Sequence, residues 1–242
     1  MSAGTVWGVG LGPGDPDLMS LRAARLLQEA RHVAFFRKPG RMGHARKIAD
    51  GLLTGAAVEF AMEYPVTTEI PVTDPAYNRV LSDFYAHCAD HLATLALAGE
   101  DVVVLCEGDP FFYGSFMHLH NRLKTRVPVQ VVPAITGMSA AWTATDMPIT
   151  WGDDVLTVLP ATLPEDELVA RITDADAVVV MKIGTNMPKL RRALARTGRG
   201  PEAWLVRYAS MAQQQATPFA TAGDGPVPYF TIALIHGQGR RP

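Results

Sequence analysis

Two stretches concentrate the residue types that can hold and orient a ligand. The first reads Gly8-Val9-Gly10-Leu11-Gly12-Pro13-Gly14-Asp15-Pro16 and closes a β-type run at residues 5–11. Glycines at a strand end let a ligand approach the backbone closely. In open α/β sheets, ligands bind beyond the carboxyl ends of strands. The dinucleotide spacing Gly-x-Gly-x-x-Gly fails here: counted from Gly8 the third glycine position holds Pro13, and counted from Gly10 it holds Asp15. Pro13 also lacks the N–H that would cradle a phosphate. Asp15 and Asp17 are poor neighbours for an anion, and the Gly-Lys-Ser/Thr ending of a P-loop is missing. The second stretch is Glu107-Gly108-Asp109-Pro110-Phe111-Phe112-Tyr113-Gly114-Ser115, directly after an apolar run. Its acids can orient a ligand while its aromatics supply apolar walls. The plainer reading is a helix cap, with Asp109 at N-cap and Pro110 at N1. The two roles can coexist.

A third feature is charge. Residues 37–47 carry five Lys/Arg and one histidine, and no acid occurs between Glu29 and Asp50, in a chain of net charge −2. Arginines hold carboxylates bidentately, so Arg37, Lys38 and Arg41 are candidate binders of a polycarboxylate. A solvated basic face is the alternative. His118 and His120 stand at i, i+2 and do not share a helix face. His87 and His91 do share one, but without an HExxH pattern. Cys88 and Cys106 lack CxxC spacing, so no protein-bound metal is expected. No nucleophile signature occurs.

These residues need a scaffold. The chain has 242 residues, 48% hydrophobic and 19% charged, which excludes a disordered or collagen-like chain. The near-neutral charge argues against nucleic acid as a general partner. No cationic leader and no apolar run of membrane-spanning length are read, so a soluble cytoplasmic protein with no membrane partner is expected. Hydrophobic patterning predicts strands at residues 5–11, 32–36, 57–62, 102–106 and 129–132. Helices are predicted at 18–31, 44–53, 74–97 and 112–123. The longest helix has Asp74 as N-cap, Pro75 in its first turn and Gly99 as its stop. The second half predicts helices at 135–145, 163–173 and 188–196, and strands at 155–159, 177–181, 203–208 and 229–236. This alternation implies α/β architecture with a mainly parallel sheet. Two domains are expected, 1–132 and 133–242.

The first loop with Leu18, the Gly108-Asp109-Pro110 turn, and Val132-Pro133-Ala134-Ile135-Thr136-Gly137 together resemble the tetrapyrrole (corrin/porphyrin) methylases. The resemblance runs from Val6 to Gly237. The wording from Glu107 to His120 is most similar to the branch that methylates precorrin-2 at C20. One departure is Ala134, where many members carry glycine; alanine would object to a positive φ. The resemblance implies two α/β domains, a mainly parallel N-terminal sheet and a mixed C-terminal sheet, with a ligand cleft between them. It also implies a homodimer. The implied reaction is S-adenosyl-L-methionine-dependent methylation of precorrin-2 to precorrin-3A in cobalamin biosynthesis, with S-adenosyl-L-homocysteine as product. The implied cofactor contacts are Pro13, Gly108, Asp109, Thr136, Gly137, Met181, Tyr208, Ala209, Phe230 and Thr231. A base can remove the C20 proton, and Asp109, Tyr113, Lys182 and Tyr229 are the polar candidates. The alternatives are methylation of cobalt-factor II at the same carbon, an NADP-dependent reductase using the basic residues after strand two, and a non-catalytic tetrapyrrole carrier.

Overall fold

The computed structural model describes residues 2–65 and 74–239. The chain divides into two units, Met1–Thr136 and Gly137–Pro242.

The first unit is built on five parallel strands: β1 (Val6–Gly10), β2 (His32–Arg37), β3 (Val58–Glu63), β4 (Val102–Cys106) and β5 (Val129–Val132). Their order is β3-β2-β4-β1-β5. Parallel neighbours require crossovers, which α1 (Leu21–Glu29), α2 (His44–Ile48), α3 (Pro75–Leu97) and α4 (Phe116–Leu123) supply. Side chains alternate across a strand, and β4 shows it cleanly. Val102, Val104 and Cys106 join the α3 and α4 core, whereas Val103 and Leu105 join the α1 and α2 core. Both faces of the sheet are therefore covered, which explains the unbroken apolar run of β4.

Helix signals behave as their chemistry dictates. The Asp74 carboxylate accepts from the Ala76 N–H at 2.8 Å and opens α3, and Gly99, at φ +92°, ends that segment. Other expected boundaries move. Residues 18–31 yield a 3-10 turn at Pro16–Leu18, then α1 capped by Ser20, whose hydroxyl accepts from Ala23 N–H. The helix expected over 44–53 stops at Ile48. The helix expected from residue 112 starts at Phe116, so Asp109 is not its N-cap.

The second unit carries a mixed sheet ordered β6-β7-β10-β8-β9, from β6 (Leu156–Pro160), β7 (Ala177–Met181), β8 (Ala203–Arg207), β9 (Gln215–Pro218) and β10 (Thr231–Ile235). β6 and β7 are parallel, while β10 runs antiparallel to both β7 and β8. The helices are α5 (Gly137–Ala144), α6 (Glu165–Thr173) and α7 (Met187–Arg196). The last strand begins at Thr231, so Phe230 precedes it rather than lying within it. β9 has no counterpart among the expected elements.

Candidate functional site

In the first unit the strand ends are laced together. Leu11 N–H donates to Cys106 O at 2.9 Å, and Gly108 N–H donates to Gly12 O at 2.8 Å. Gly12 (φ +83°) and Gly108 (φ +60°) form an isolated bridge that only glycine adopts without strain. Gly10 is required for a different reason. A Cβ there would lie 2.6 Å from Ala134 Cβ, 2.8 Å from Gly108 O and 2.9 Å from Pro110 Cδ. Three segments thus converge on one point at the carboxyl ends of β1, β4 and β5. Ala134 does not lie in the left-handed region, so its methyl group carries no backbone cost.

Asp109 organises this convergence. Its Oδ1 accepts from Phe111 N–H at 2.8 Å and its Oδ2 from Ala134 N–H at 3.0 Å. Pro13 is buried, and Gly108, Asp109 and Thr136 are half-buried. Beyond them Phe111 is 47% exposed and Tyr113 42%. Tyr113 holds φ +56°, a strained setting for a bulky residue and one found at ligand-holding loops. Ser115 anchors the end of the turn through the hydroxyls of Tyr64 and Tyr85. Burial raises the Tyr85 phenol above its ordinary range. Cys106 is buried beside Glu107 and Asp109, and burial first, then those carboxylates, push its thiol far up.

Glu107 is the residue that sequence reasoning quoted without giving a role. It continues the row Val103, Leu105 toward α2, on a face otherwise apolar. Desolvation pushes its carboxyl up to about 7, against a smaller lowering from the backbone of Ala45. The available signal was an acid continuing a buried strand's odd-numbered row.

The second unit gathers another group. β7 and β8 both pair antiparallel with β10, so their carboxyl ends lie together beside the start of β10. Met181 and Lys182 end β7, Tyr208 and Ala209 follow β8, and Phe230 and Thr231 stand at the start of β10. Tyr208 N–H donates to Phe230 O at 2.8 Å. The buried Thr231 hydroxyl donates to Pro228 O at 2.7 Å. Gly137 opens α5 over the same strand, its missing Cβ pointing to Ile232 Cδ1. Lys182 (φ +55°) and Tyr208 (φ +53°) both hold left-handed backbone just past their strands. Tyr229 is 81% exposed. The ten residues expected to contact the cofactor therefore fall into two clusters, one at strand ends in each unit.

The basic segment is less positive than it reads. Arg37 pairs with Glu63 at 2.8 Å and Arg46 with Glu59 at 2.9 Å. Lys38 and Arg41 sit exposed on a turn closed by Arg41 N–H to Lys38 O at 3.1 Å. His118 stacks on Tyr85 at 4.4 Å and His120 meets Phe111 edge-on at 4.9 Å. Among the described residues, no group of three His, Cys, Asp or Glu side chains is placed to hold a metal. No helix among them is long and apolar enough to cross a membrane.

The chain is thus an α/β protein with one parallel and one mixed sheet, glycine and polar turns at its strand ends, and no phosphate fingerprint in its sequence. The sequence profile of the tetrapyrrole (corrin/porphyrin) methylases matches residues 5–223, and the chain belongs to that family. It is 46% identical over 242 residues to a precorrin-2 C(20)-methyltransferase of Sinorhizobium, covering all of this chain and 99% of that one. It is also 46% identical to the cobalamin biosynthesis protein CobIJ of Mycobacterium bovis, of which it spans only 48%. A uroporphyrin-III C-methyl transferase of Thermus thermophilus, solved with S-adenosyl homocysteine, superposes with a TM-score of 0.65. That structure is 25% identical, and the match covers 96% of each chain.

Proposed function

We propose that the protein is an S-adenosylmethionine-dependent C-methyltransferase. It methylates precorrin-2 at C20 to give precorrin-3A and S-adenosylhomocysteine in cobalamin biosynthesis. The observation that carries this reading is the 46% identity to the Sinorhizobium enzyme across essentially both full lengths.

The residues present fit such a donor. When bound it supplies a methyl group to a nucleophilic carbon. It has no phosphate, and the first loop offers a glycine cradle interrupted by buried Pro13 rather than a row of anion-binding N–H groups. The family resemblance would give the donor contacts from Pro13, Gly108, Asp109 and Thr136 and from Gly137, Met181, Tyr208, Ala209, Phe230 and Thr231. The protein's part is alignment and exclusion of water, because the reduced macrocycle supplies the electrons. Lys38 and Arg41, with Arg37 behind them, meet the carboxylates of the tetrapyrrole. We read the working form as a cytoplasmic homodimer, which sedimentation and cell fractionation test.

The test is transfer of isotope from methyl-labelled S-adenosylmethionine to precorrin-2, with the labelled carbon located by NMR. Label at C20 is the expected result. No label in the tetrapyrrole defeats the reading, and label at another carbon reassigns the branch. Comparing metal-free and cobalt-loaded substrate decides the metal state.

A further inference from the structure

His236 directly follows β10 and is buried, only 4% exposed. Strand alternation turns it to the face of Ile232 and Leu234, which packs with Ala141 of α5. Its two ring nitrogens have different partners. Nδ1 lies 3.0 Å from Pro148 O, and Nε2 lies 3.0 Å from Thr145 Oγ1. The Thr145 hydroxyl also lies 2.7 Å from Trp142 O, in the last turn of α5. A backbone bond continues this seam, with Gly237 N–H donating to Ile149 O at 2.9 Å.

These three side-chain contacts require one hydrogen each. A carbonyl oxygen only accepts, so Nδ1 must carry a hydrogen and donate to Pro148 O. A neutral imidazole then has none for Nε2. The single Thr145 hydrogen must serve either Nε2 or Trp142 O. Trp142 O keeps the Thr145 backbone N–H at 3.3 Å, whereas a buried Nε2 would be left unpaired at a cost. The neutral ring therefore takes the hydroxyl hydrogen. An imidazolium carries a hydrogen on both nitrogens, so Nε2 can donate to Thr145 Oγ1 and release the hydroxyl hydrogen to Trp142 O.

Burial opposes the charged state. It lowers the His236 pKa, against a smaller raising by the Pro148 carbonyl, and no charged side chain contributes. The ionisable groups nearest in chain and register are exposed or engaged. Asp146 and Asp153 are exposed, Asp154 accepts from Trp151 N–H at 2.8 Å, and Asp176 accepts from Val155 N–H at 2.8 Å. Extending the β10 register sets His236 beside Ala177 and Glu202, and Glu202 pairs with Arg199 at 3.0 Å.

We propose that His236 and Thr145 form a pH-sensitive switch at the end of α5. The neutral ring accepts from the Thr145 hydroxyl. Protonation reverses that bond and turns the hydroxyl hydrogen onto the Trp142 carbonyl, so the last turn of α5 gains a hydrogen bond. The switch stands independently of the methylation reading. It ties together the far ends of α5 and β10, whose first residues, Gly137 and Thr231, are expected cofactor contacts.

The experiment is nitrogen and carbon NMR of the full chain from about pH 8 to about pH 5, the range in which histidine changes charge. At the upper end His236 is expected as the Nδ1–H tautomer with a bare Nε2. As pH falls, Nε2 gains a hydrogen, and the Trp142 carbonyl carbon shifts with the same midpoint. In Thr145→Val the imidazolium loses its acceptor, so the His236 midpoint moves lower and the Trp142 shift disappears; Thr145→Ser restores both. An Nε2–H tautomer at the upper end overturns the proposal. So does a ring that stays neutral throughout, or a Trp142 resonance that does not follow His236. These three readings are made on the wild-type chain and stand even where Thr145→Val fails to fold. An unmoved midpoint in folded Thr145→Val overturns it as well.

Discussion

The Asp109 carboxylate fastens the end of β4 to the segment after β5: its Oδ2 accepts from the Ala134 N–H at 3.0 Å, while Oδ1 accepts from Phe111 N–H at 2.8 Å. A single side chain thereby sets the spacing of two loops that carry candidate cofactor contacts.

Asp109→Ala removes both acceptors at once. Leaving a half-buried N–H at Ala134 without its partner costs about 1–3 kcal/mol, readable as a lower urea midpoint. S-adenosylhomocysteine affinity and kcat should weaken together, because the loops lose their spacing. Calorimetric titration checks this; a variant with normal affinity and depressed kcat would instead make Asp109 a chemical participant. Asp109→Asn keeps one acceptor oxygen and should fall between.

Gly10→Ala tests the convergence of β1, β4 and β5. Its Cβ would meet three atoms under 3.0 Å, two of them the Gly108 carbonyl and the Pro110 ring. Overpacking of this kind costs typically 1–3 kcal/mol. Adding Ala134→Gly removes the 2.6 Å contact only, so the double variant should recover part of the loss. A double-mutant cycle on thermal unfolding measures the coupling, and strict additivity would contradict the geometry.

These tests bear on residues of unequal visibility in the sequence. β4 and α3 were legible because an unbroken apolar run and an Asp-Pro start with a glycine stop are local signals. α4 was misplaced because Asp109 and Pro110 imitate a cap, whereas Asp109 bonds across 25 residues to Ala134. β9 was illegible: Gln215–Pro218 has no apolar alternation and exists only as the antiparallel partner of β8. The pairing of Arg37 with Glu63 likewise follows from strand register, not from proximity in sequence. Of the candidate site, the strand-end glycines and Asp109 were readable, while the buried face occupied by Glu107 emerges only from the alternation of β4.

Lys182 offers a test of stored strain. A lysine at φ +55° past β7 carries roughly 1–2 kcal/mol of unfavourable backbone energy that glycine avoids. Lys182→Gly should melt at a higher temperature and turn over more slowly. An unaltered melting temperature would mean that the surroundings accommodate the lysine at no cost.

Glu107 also makes stability depend on pH, in the direction opposite to a salt-bridged acid. Its folded pKa is raised from 4.5 to about 7, so between those values the native state binds more protons than the unfolded chain. The contribution is fully present below about pH 4.5 and is lost as pH rises through about 7. Its size is on the order of 3 kcal/mol. Subtracting the urea stability of Glu107→Gln from that of wild type, pH by pH, should reveal this fall; a flat difference would place the carboxyl in water.

Lys38 and Arg41 carry the last expectation, which differs from what the sequence alone suggests for the basic segment. Arg37 is engaged by Glu63 and Arg46 by Glu59, so reversing either arginine also strands a glutamate. Lys38 and Arg41 are exposed on one turn and can be reversed without that confusion. Lys38→Glu with Arg41→Glu should raise KM for the tetrapyrrole about tenfold and leave S-adenosylhomocysteine affinity unchanged. Exposed charges are screened by salt, so the penalty should shrink as ionic strength rises. An unchanged KM at low salt would assign the turn to solvent and leave Arg37 to act without it.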